Sequence, residues 1–278
     1  MSQRTIIITG ASDGIGAVAA RELARAGERV VIVGRSPAKA RRIAEEIGAP
    51  AHVADFADLR QVRKLAADLR AAYPRIDVLV NNAGAVMGGF ERTVDGIEKT
   101  LQVNHLAPFL LTSLLLDRLI DSRAAVISTS STAARRFAKL DVDDLQNERG
   151  YEPVKAYADA KLDNILFTRE LHRRHGADGI AAVAFHPGNV ATNFASGTTS
   201  SWRYIYGTPL RHLLLISPRR GARPLLRLAE GTPGRDWQPG QFYVRNKIAP
   251  AGPQADDPAL ARAVWDRSAQ LAGLPAAS

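Results

Sequence analysis

The chain reads as an α/β protein: one doubly wound domain whose central parallel sheet of about seven strands carries helices on both faces. Three observations predict it. Short apolar runs bounded by turn residues alternate with longer segments of helical period, as βαβ units require. At 278 residues, 46% of them hydrophobic and with glycine and proline scattered rather than clustered, the chain can bury one large core without a linker. No repeat with a period of roughly 20–50 residues occurs, so a solenoid is excluded.

The elements follow in order. The run Ile6-Ile7-Ile8 gives a strand at 4–9, followed by a helical segment at 15–26. Val30-Val31-Ile32-Val33 gives a strand at 29–34 and leads to a helix at 37–47. A short strand at 51–55 precedes a helix at 59–73, and Val78-Leu79-Val80 gives a strand at 77–81. Segment 94–120 reads as one long helix. A strand at 124–129, a helix at 153–175, a strand at 180–185, a helix at 218–229, a strand at 241–244 and a helix at 258–271 complete the pattern.

In a doubly wound sheet ligands bind beyond the carboxyl ends of the strands, where the strand order reverses. The residues found there are Gly10 to Gly16, Arg35, Asp55 and Phe56, Asn82 to Gly84, Ser130 and Ser131, and Pro187 to Thr192.

The first of these turns is Thr9-Gly10-Ala11-Ser12-Asp13-Gly14-Ile15-Gly16. Glycine lets the chain turn tightly and brings backbone N–H groups close to a pyrophosphate, which the positive end of the following helix also attracts. The spacing is Gly-x3-Gly-x-Gly rather than Gly-x-Gly-x-x-Gly, so a turn that is glycine-rich for steric reasons alone stays open at this point. Nineteen residues past Gly16 stand Arg35 and Ser36, where an acid would hold a ribose 2′-hydroxyl and an Arg suits a 2′-phosphate. The pair favours NADP(H) over NAD(H), against the alternative that Arg35 simply projects into solvent. Tyr157 and Lys161, four apart on a helix, share one face. A phenol titrates near ~10 and is a poor acid/base at neutral pH, but an adjacent ammonium stabilises the phenolate. Taken alone, such a pair is as readily structural.

Composition sets limits. There are no cysteines, which excludes disulfides, a thiolate nucleophile and Cys-based metal sites and points to a reducing compartment. The first residues lack a signal-peptide pattern, and the longest apolar run, 106–116, contains Pro108, Thr112 and Ser113 and is too short to cross a bilayer. The expectation is a cytoplasmic protein with no membrane span. The formal charge of +9 raises nucleic acid as a partner, but the basic residues are spread along the chain without interleaved aromatics, and a solvated surface is the preferred reading. His172 and His175 and the acids Asp141, Asp143 and Asp144 read as solvated surface, and no metal is expected.

The glycine turn, Asn81-Asn82-Ala83-Gly84, Tyr-x3-Lys at 157–161 and Pro187-Gly188-Asn189-Val190-Ala191-Thr192 together resemble the short-chain dehydrogenase/reductase superfamily over nearly the whole chain. Segments 141–157 and 164–171, His186-Pro187-Gly188 and Gly240-Gln241-Phe242-Tyr243 resemble its retinol-dehydrogenase-like branch. The resemblance implies a Rossmann-type sheet of order 3-2-1-4-5-6-7 and a catalytic tetrad. In it Ser131 holds the substrate oxygen, Tyr157 passes the proton, Lys161 binds the nicotinamide ribose and Asn104 anchors a water relay. Ser128, Ser130, Ser131 and Thr132 crowd one strand end, and Ser131 is chosen as the second residue of the Ser-Ser pair. Cofactor contacts are implied for Gly10, Ser12, Asp13, Gly14, Ile15, Gly16, Arg35, Ser36, Asp55, Phe56, Asn82, Ala83, Gly84, Tyr157, Lys161, Pro187, Gly188, Val190 and Thr192. Asp13, where many relatives have Asn or another polar residue, is a small departure, without expected effect if backbone N–H groups do the binding. Segment 193–216, rich in aromatic and aliphatic side chains, is expected to cover a bulky apolar substrate, with Arg203 and Arg211 each able to receive a carboxylate.

The expected function is therefore reversible hydride transfer between NADP(H) and a carbonyl/alcohol pair on a small molecule. The rival is a nucleotide-binding sensor or scaffold without turnover. Helices equivalent to 153–175 often pair between subunits in this superfamily, which leaves a homo-oligomer open.

Overall fold

A computed structural model describes residues 3–188 and 216–275. Its strands are β1 (Thr5–Thr9), β2 (Arg29–Gly34), β3 (Ala51–Val53), β4 (Val78–Asn81), β5 (Ala125–Thr129), β6 (Ala181–His186), β7 (Phe242–Val244) and β8 (Lys247–Ile248). They form one sheet in the order β3-β2-β1-β4-β5-β6-β7-β8, parallel throughout except for β8, which runs antiparallel to β7. The principal helices are α1 (Gly14–Arg25), α2 (Pro37–Ile47), α3 (Leu59–Ala72), α4 (Lys99–Leu101), α5 (Ala107–Leu114), α6 (Leu116–Ser122), α7 (Ala133–Phe137), α8 (Pro153–His175), α9 (Pro218–Glu230) and α10 (Pro258–Leu271).

Successive side chains of a strand point to opposite faces, and the run Ile6-Ile7-Ile8 shows the consequence. Ile7 joins one core with Val31, Leu79 and Val126 under α3, α5, α8 and α10. Ile6 and Ile8 join the other with Val30, Ile32 and Ile127 under α1, α2 and α9. A strand buried on both faces must be apolar along its length, which is why β1, β2 and β4 read as unbroken apolar runs.

The expected order of about seven strands is present, and one expectation, a single helix over 94–120, is corrected. A short eighth strand joins the sheet because the chain turns back after β7 through Arg245 and Asn246, at φ 51° and 63°. Positive φ at both central residues suits a two-residue hairpin turn, but Arg at the first is not the Asn-Gly signature that announces one. Segment 94–120 is not one helix. Gly96 takes φ 76°, and the Glu98 carboxylate caps α4 by accepting from the N–H groups of Thr100 and Leu101 at 2.8 and 2.7 Å. A π turn over Gln102–Leu106 then leads into α5. A 64° bend separates Lys99–Leu114 from Leu116–Ser122. Burial among other elements masked these breaks, since Phe109, Leu110, Leu111, Leu115 and Leu119 are all enclosed. Among the described residues no single helix is long and apolar enough to cross a membrane.

Candidate active site

Beyond the carboxyl ends of β1, β2, β4 and β5 lies a cleft of about 590 Å³, running from the glycine turn to Tyr157. Its floor depends on two side chains at strand ends. Thr9 Oγ1 donates to the Val80 carbonyl at 3.1 Å and accepts from the N–H groups of Asn82 and Ala83 at 3.0 Å each. Asn82 Nδ2 returns a bond to the Thr9 carbonyl at 3.0 Å. The ends of β1 and β4 are thereby held at a fixed spacing.

Close backbone approach explains the glycines. Gly10 has φ 67°, and a Cβ there would stand 2.9 Å from Ala83 Cα; one at Gly16 would stand 2.5 Å from the Gly10 carbonyl oxygen. Neither position admits another residue. The turn presents Gly10, Ser12, Asp13, Gly14 and Ile15 to the cleft at the start of α1, where the first N–H groups of a helix have no partner within it. Gly16 lies behind them.

The second strand delivers Arg35 and Ser36 to the same cleft, with Ser36 Oγ capping α2. One turn on, Lys39 also lines the cleft and pairs with Asp13 Oδ2 at 2.8 Å, a residue that sequence reasoning missed. Its signal was the four-residue spacing from Arg35. Asp13, for which no consequence was expected, both caps α1 through Gly14 N–H at 2.8 Å and holds this cation. Asp55 and Phe56 close this end, Asp55 accepting from Ala57 N–H at 3.0 Å. Asn82, Ala83 and Gly84 form the middle.

At the far end the crowded hydroxyls separate. Ser128 is buried, and Ser130 is buried and donates to the Lys161 carbonyl at 2.6 Å. Ser130, Ser131 and Thr132 all belong to the cleft lining, as does Tyr157. Ser131 Oγ accepts from Ala133 N–H at 3.1 Å at the start of α7. Lys161 is 1% exposed, and its Nζ lies 5.6 Å from the Tyr157 ring centre and 3.3 Å from the Thr129 carbonyl. Burial pushes its ammonium down to about 7. Asn104, on the π turn, is fully buried: its Nδ2 donates to the carbonyls of Ala85 and Thr100 at 2.8 and 2.9 Å, and its Oδ1 accepts from Ala85 N–H at 3.2 Å. A Cβ on Gly84 would fall 2.6 Å from Asn104 Oδ1 and 3.1 Å from Lys161 Nζ, so a glycine is required where the cleft floor meets both.

Sequence reasoning also missed the buried residues behind this pair. Asn164 bridges to the Asn104 and Thr129 carbonyls, and His105, pushed down to about 4 by burial, lies between Asn164 and Ser268. The signal available was Asn164 three residues after Lys161, on the same face.

The outer wall at this end is formed by Val86, Met87, Phe137 and Val154, with Arg136 among them, and by His186, Pro187 and Gly188. Burial, with Arg136 and Arg245 nearby, pushes His186 down to about 4. Val190, Thr192 and segment 193–215 lie outside the described residues.

This architecture, with a glycine turn, a basic second strand end and a Tyr–Lys pair on one cleft, agrees with the comparisons to known proteins. The short chain dehydrogenase family profile matches residues 4–202, and the chain belongs to that family of oxidoreductases, which act on alcohol and carbonyl groups with a nicotinamide cofactor. Within it, the chain falls in the retinol-dehydrogenase-like branch. It is 41% identical to the protein named "Putative daunorubicin C-13 ketoreductase DnrU" of Streptomyces sp. (strain C5), over 97% of this chain and 93% of that one. Retinol dehydrogenase 13 of Homo sapiens is 37% identical over 99% and 86% of the two chains. A crystal structure of an uncharacterized protein from Mycobacterium paratuberculosis superposes with a TM-score of 0.78 at 33% identity, covering 100% of this chain and 96% of the other.

Proposed function

We propose that this chain is an NADP(H)-dependent carbonyl reductase and alcohol dehydrogenase, acting on a bulky, largely apolar small molecule. The observation that carries the reading is the buried Lys161 beneath Tyr157 and behind Gly84, at the end of a cleft whose other end is cationic.

The glycine turn fits a pyrophosphate, because its backbone approaches its neighbours too closely for a Cβ at Gly10 or Gly16 and it lines the cleft at the start of α1, whose positive end attracts an anion. Arg35, Ser36 and Lys39 would receive a 2′-phosphate: all three line the cleft where β2 ends, and a fork of guanidinium donors suits a phosphate. Asp55 and Phe56 would receive the adenosine. The bound nicotinamide supplies or accepts the hydride. Tyr157 holds the proton that the substrate oxygen gains or loses, and Ser131 orients that oxygen. Lys161, with its Nζ 5.6 Å from the Tyr157 ring centre, would stabilise the phenolate as the proton departs, to the extent that its own ammonium, pushed down to about 7 by burial, keeps its charge.

Val86, Met87, Phe137 and Val154 support an apolar substrate, since such walls exclude water and bind by area at roughly 25 cal/mol per Å². The test is the rate of NADPH and NADH oxidation over a homologous series of aldehydes and ketones. Efficiency should rise with apolar size and favour NADPH; a preference for small or polyhydroxylated carbonyls would remove the substrate assignment, and equal use of the two cofactors would remove that of NADP(H).

A further inference from the structure

In a regular helix the Asn104 carbonyl would accept from the N–H four residues on, but that residue is Pro108, which has none. The freed carbonyl is taken by a side chain of another helix: Asn164 Nδ2 lies 3.0 Å away. The same Nδ2 reaches the Thr129 carbonyl at 3.3 Å, the oxygen on which Lys161 Nζ also rests at 3.3 Å. Lys161 and Asn164, three apart on α8, thus converge on one acceptor.

The orientation of the amide is over-determined. Carbonyl oxygens only accept, so the Asn164 NH₂ must face them and its Oδ1 must face the other way. Oδ1 lies 3.2 Å from His105 Nδ1, which therefore carries the ring hydrogen. Nε2 is left as the acceptor, and the Ser268 hydroxyl donates to it at 2.8 Å. His105 and Ser268 are both buried, so no solvent competes for these bonds, and the neutral ring that this arrangement requires is the one burial favours.

We propose that Asn164 is a positioning residue for the reaction: its amide, locked by His105 on the π turn and, through His105, by Ser268 on α10, ties the Asn104 carbonyl to the Thr129 carbonyl against which the Lys161 ammonium is held. A carbonyl has two lone-pair directions, and Asn164 occupies one on Thr129, which determines the direction left to Lys161. The same amide secures the π turn that carries Asn104. The titratable neighbours of Lys161 are Tyr157 on its own helix and His105 on the facing turn, and His105 contributes no charge while neutral. The inference rests on the proposed roles of Tyr157 and Lys161, and it makes the C-terminal helix part of the catalytic framework.

Asn164→Asp tests it with little change of shape. A carboxylate cannot donate to either carbonyl, and its charge beside Lys161 holds the ammonium proton to higher pH. With a carbonyl that the wild type reduces, kcat should fall at least tenfold and the apparent pKa of the rate profile should rise by half a unit or more. Ser268→Ala, which frees the His105 ring without adding a charge, should lower kcat in smaller measure, and Ser268→Thr, which keeps the hydroxyl, should restore it. A folded Asn164→Asp protein with the wild-type pH profile overturns the proposal, as does a loss confined to the thermal midpoint. If that variant does not fold, His105→Leu and Ser268→Ala decide: a lowered kcat in folded protein, restored by Ser268→Thr, supports the proposal, and unchanged rates at every pH refute it. Wild-type turnover of the same carbonyl separates failure of this inference from failure of the proposed reaction.

Discussion

The two ends of the cleft are built on opposite principles. At the nucleotide end the charged groups Arg35, Lys39 and Asp13 are on the surface, and the Lys39–Asp13 pair has both side chains 49% exposed. Water screens such charges, so their arrangement costs little and contributes little to stability until a ligand takes them up. At the Tyr157 end the polar groups Lys161, Asn104, Asn164, His105 and Ser268 are almost fully enclosed, and each must be satisfied within the protein. Substitution at the first end should alter binding and little else, whereas at the second it should alter chemistry and stability together.

The largest test of that contrast is Tyr157→Phe. Removal of the hydroxyl alone should lower turnover by on the order of 10³-fold, the middle of the range for a general acid/base, while NADPH binding measured by fluorescence stays within a few-fold. Substantial residual turnover would place the proton transfer elsewhere.

Lys161→Met should separate activity from stability. Folding lowers the Lys161 pKa from its ordinary value of 10.5 to about 7, so the folded state carries a penalty that is full below pH 7 and disappears as pH rises through the unfolded value. The variant should be inactive yet more thermostable than the wild type at pH 7, with the gain vanishing near pH 10.5. Thermal melts at the two pH values decide it, and an equal change at both would show that the ammonium is not held out of water.

Asp163, on the same helix, supplies the opposite slope. It is fully buried, both carboxyl oxygens lack a hydrogen-bond partner among the described residues, and burial, with Asp159 adding to it, holds its pKa well above the ordinary range. Protonated in both states at low pH, it costs nothing there by linkage; stability falls as pH rises above the unfolded value and levels off past the raised folded one. Asp163→Ala should therefore gain on the wild type by roughly 1–3 kcal/mol at neutral pH and by much less near pH 4, as read from denaturant midpoints. A loss of stability at both pH values would assign the carboxyl a partner.

The smallest effect belongs to the exposed end. Arg35→Ala should raise the NADPH Michaelis constant about tenfold, the equivalent of one charge-assisted contact of about 1.4 kcal/mol, and leave that for NADH and the melting temperature unchanged. A parallel rise for both cofactors would remove the 2′-phosphate assignment.

The sequence by itself determined the sheet and the exposed half of the cleft. Unbroken apolar runs such as Ile6-Ile7-Ile8 can satisfy only strands covered on both faces, and the glycines at 10, 14 and 16 and the Arg35-Ser36 pair sit where local geometry alone brings them to strand ends. Tyr157 and Lys161 were legible for the same reason, since four residues on a helix is a local relation. What only the tertiary structure decided is non-local or enclosed. The breaks in segment 94–120 were hidden because buried helices are apolar all round, and β8 because Arg at positive φ carries no turn signal. That Ser130 Oγ is taken by a carbonyl of α8, while Ser131 Oγ accepts from the start of α7, is likewise a relation between elements and not between neighbours in the chain. The chain of Ser268, His105 and Asn164 joins residues up to 163 positions apart, and no spacing in one sequence could announce it. Side chains that far apart meet only when the sheet has folded, and only then does their shared desolvation force them to satisfy one another.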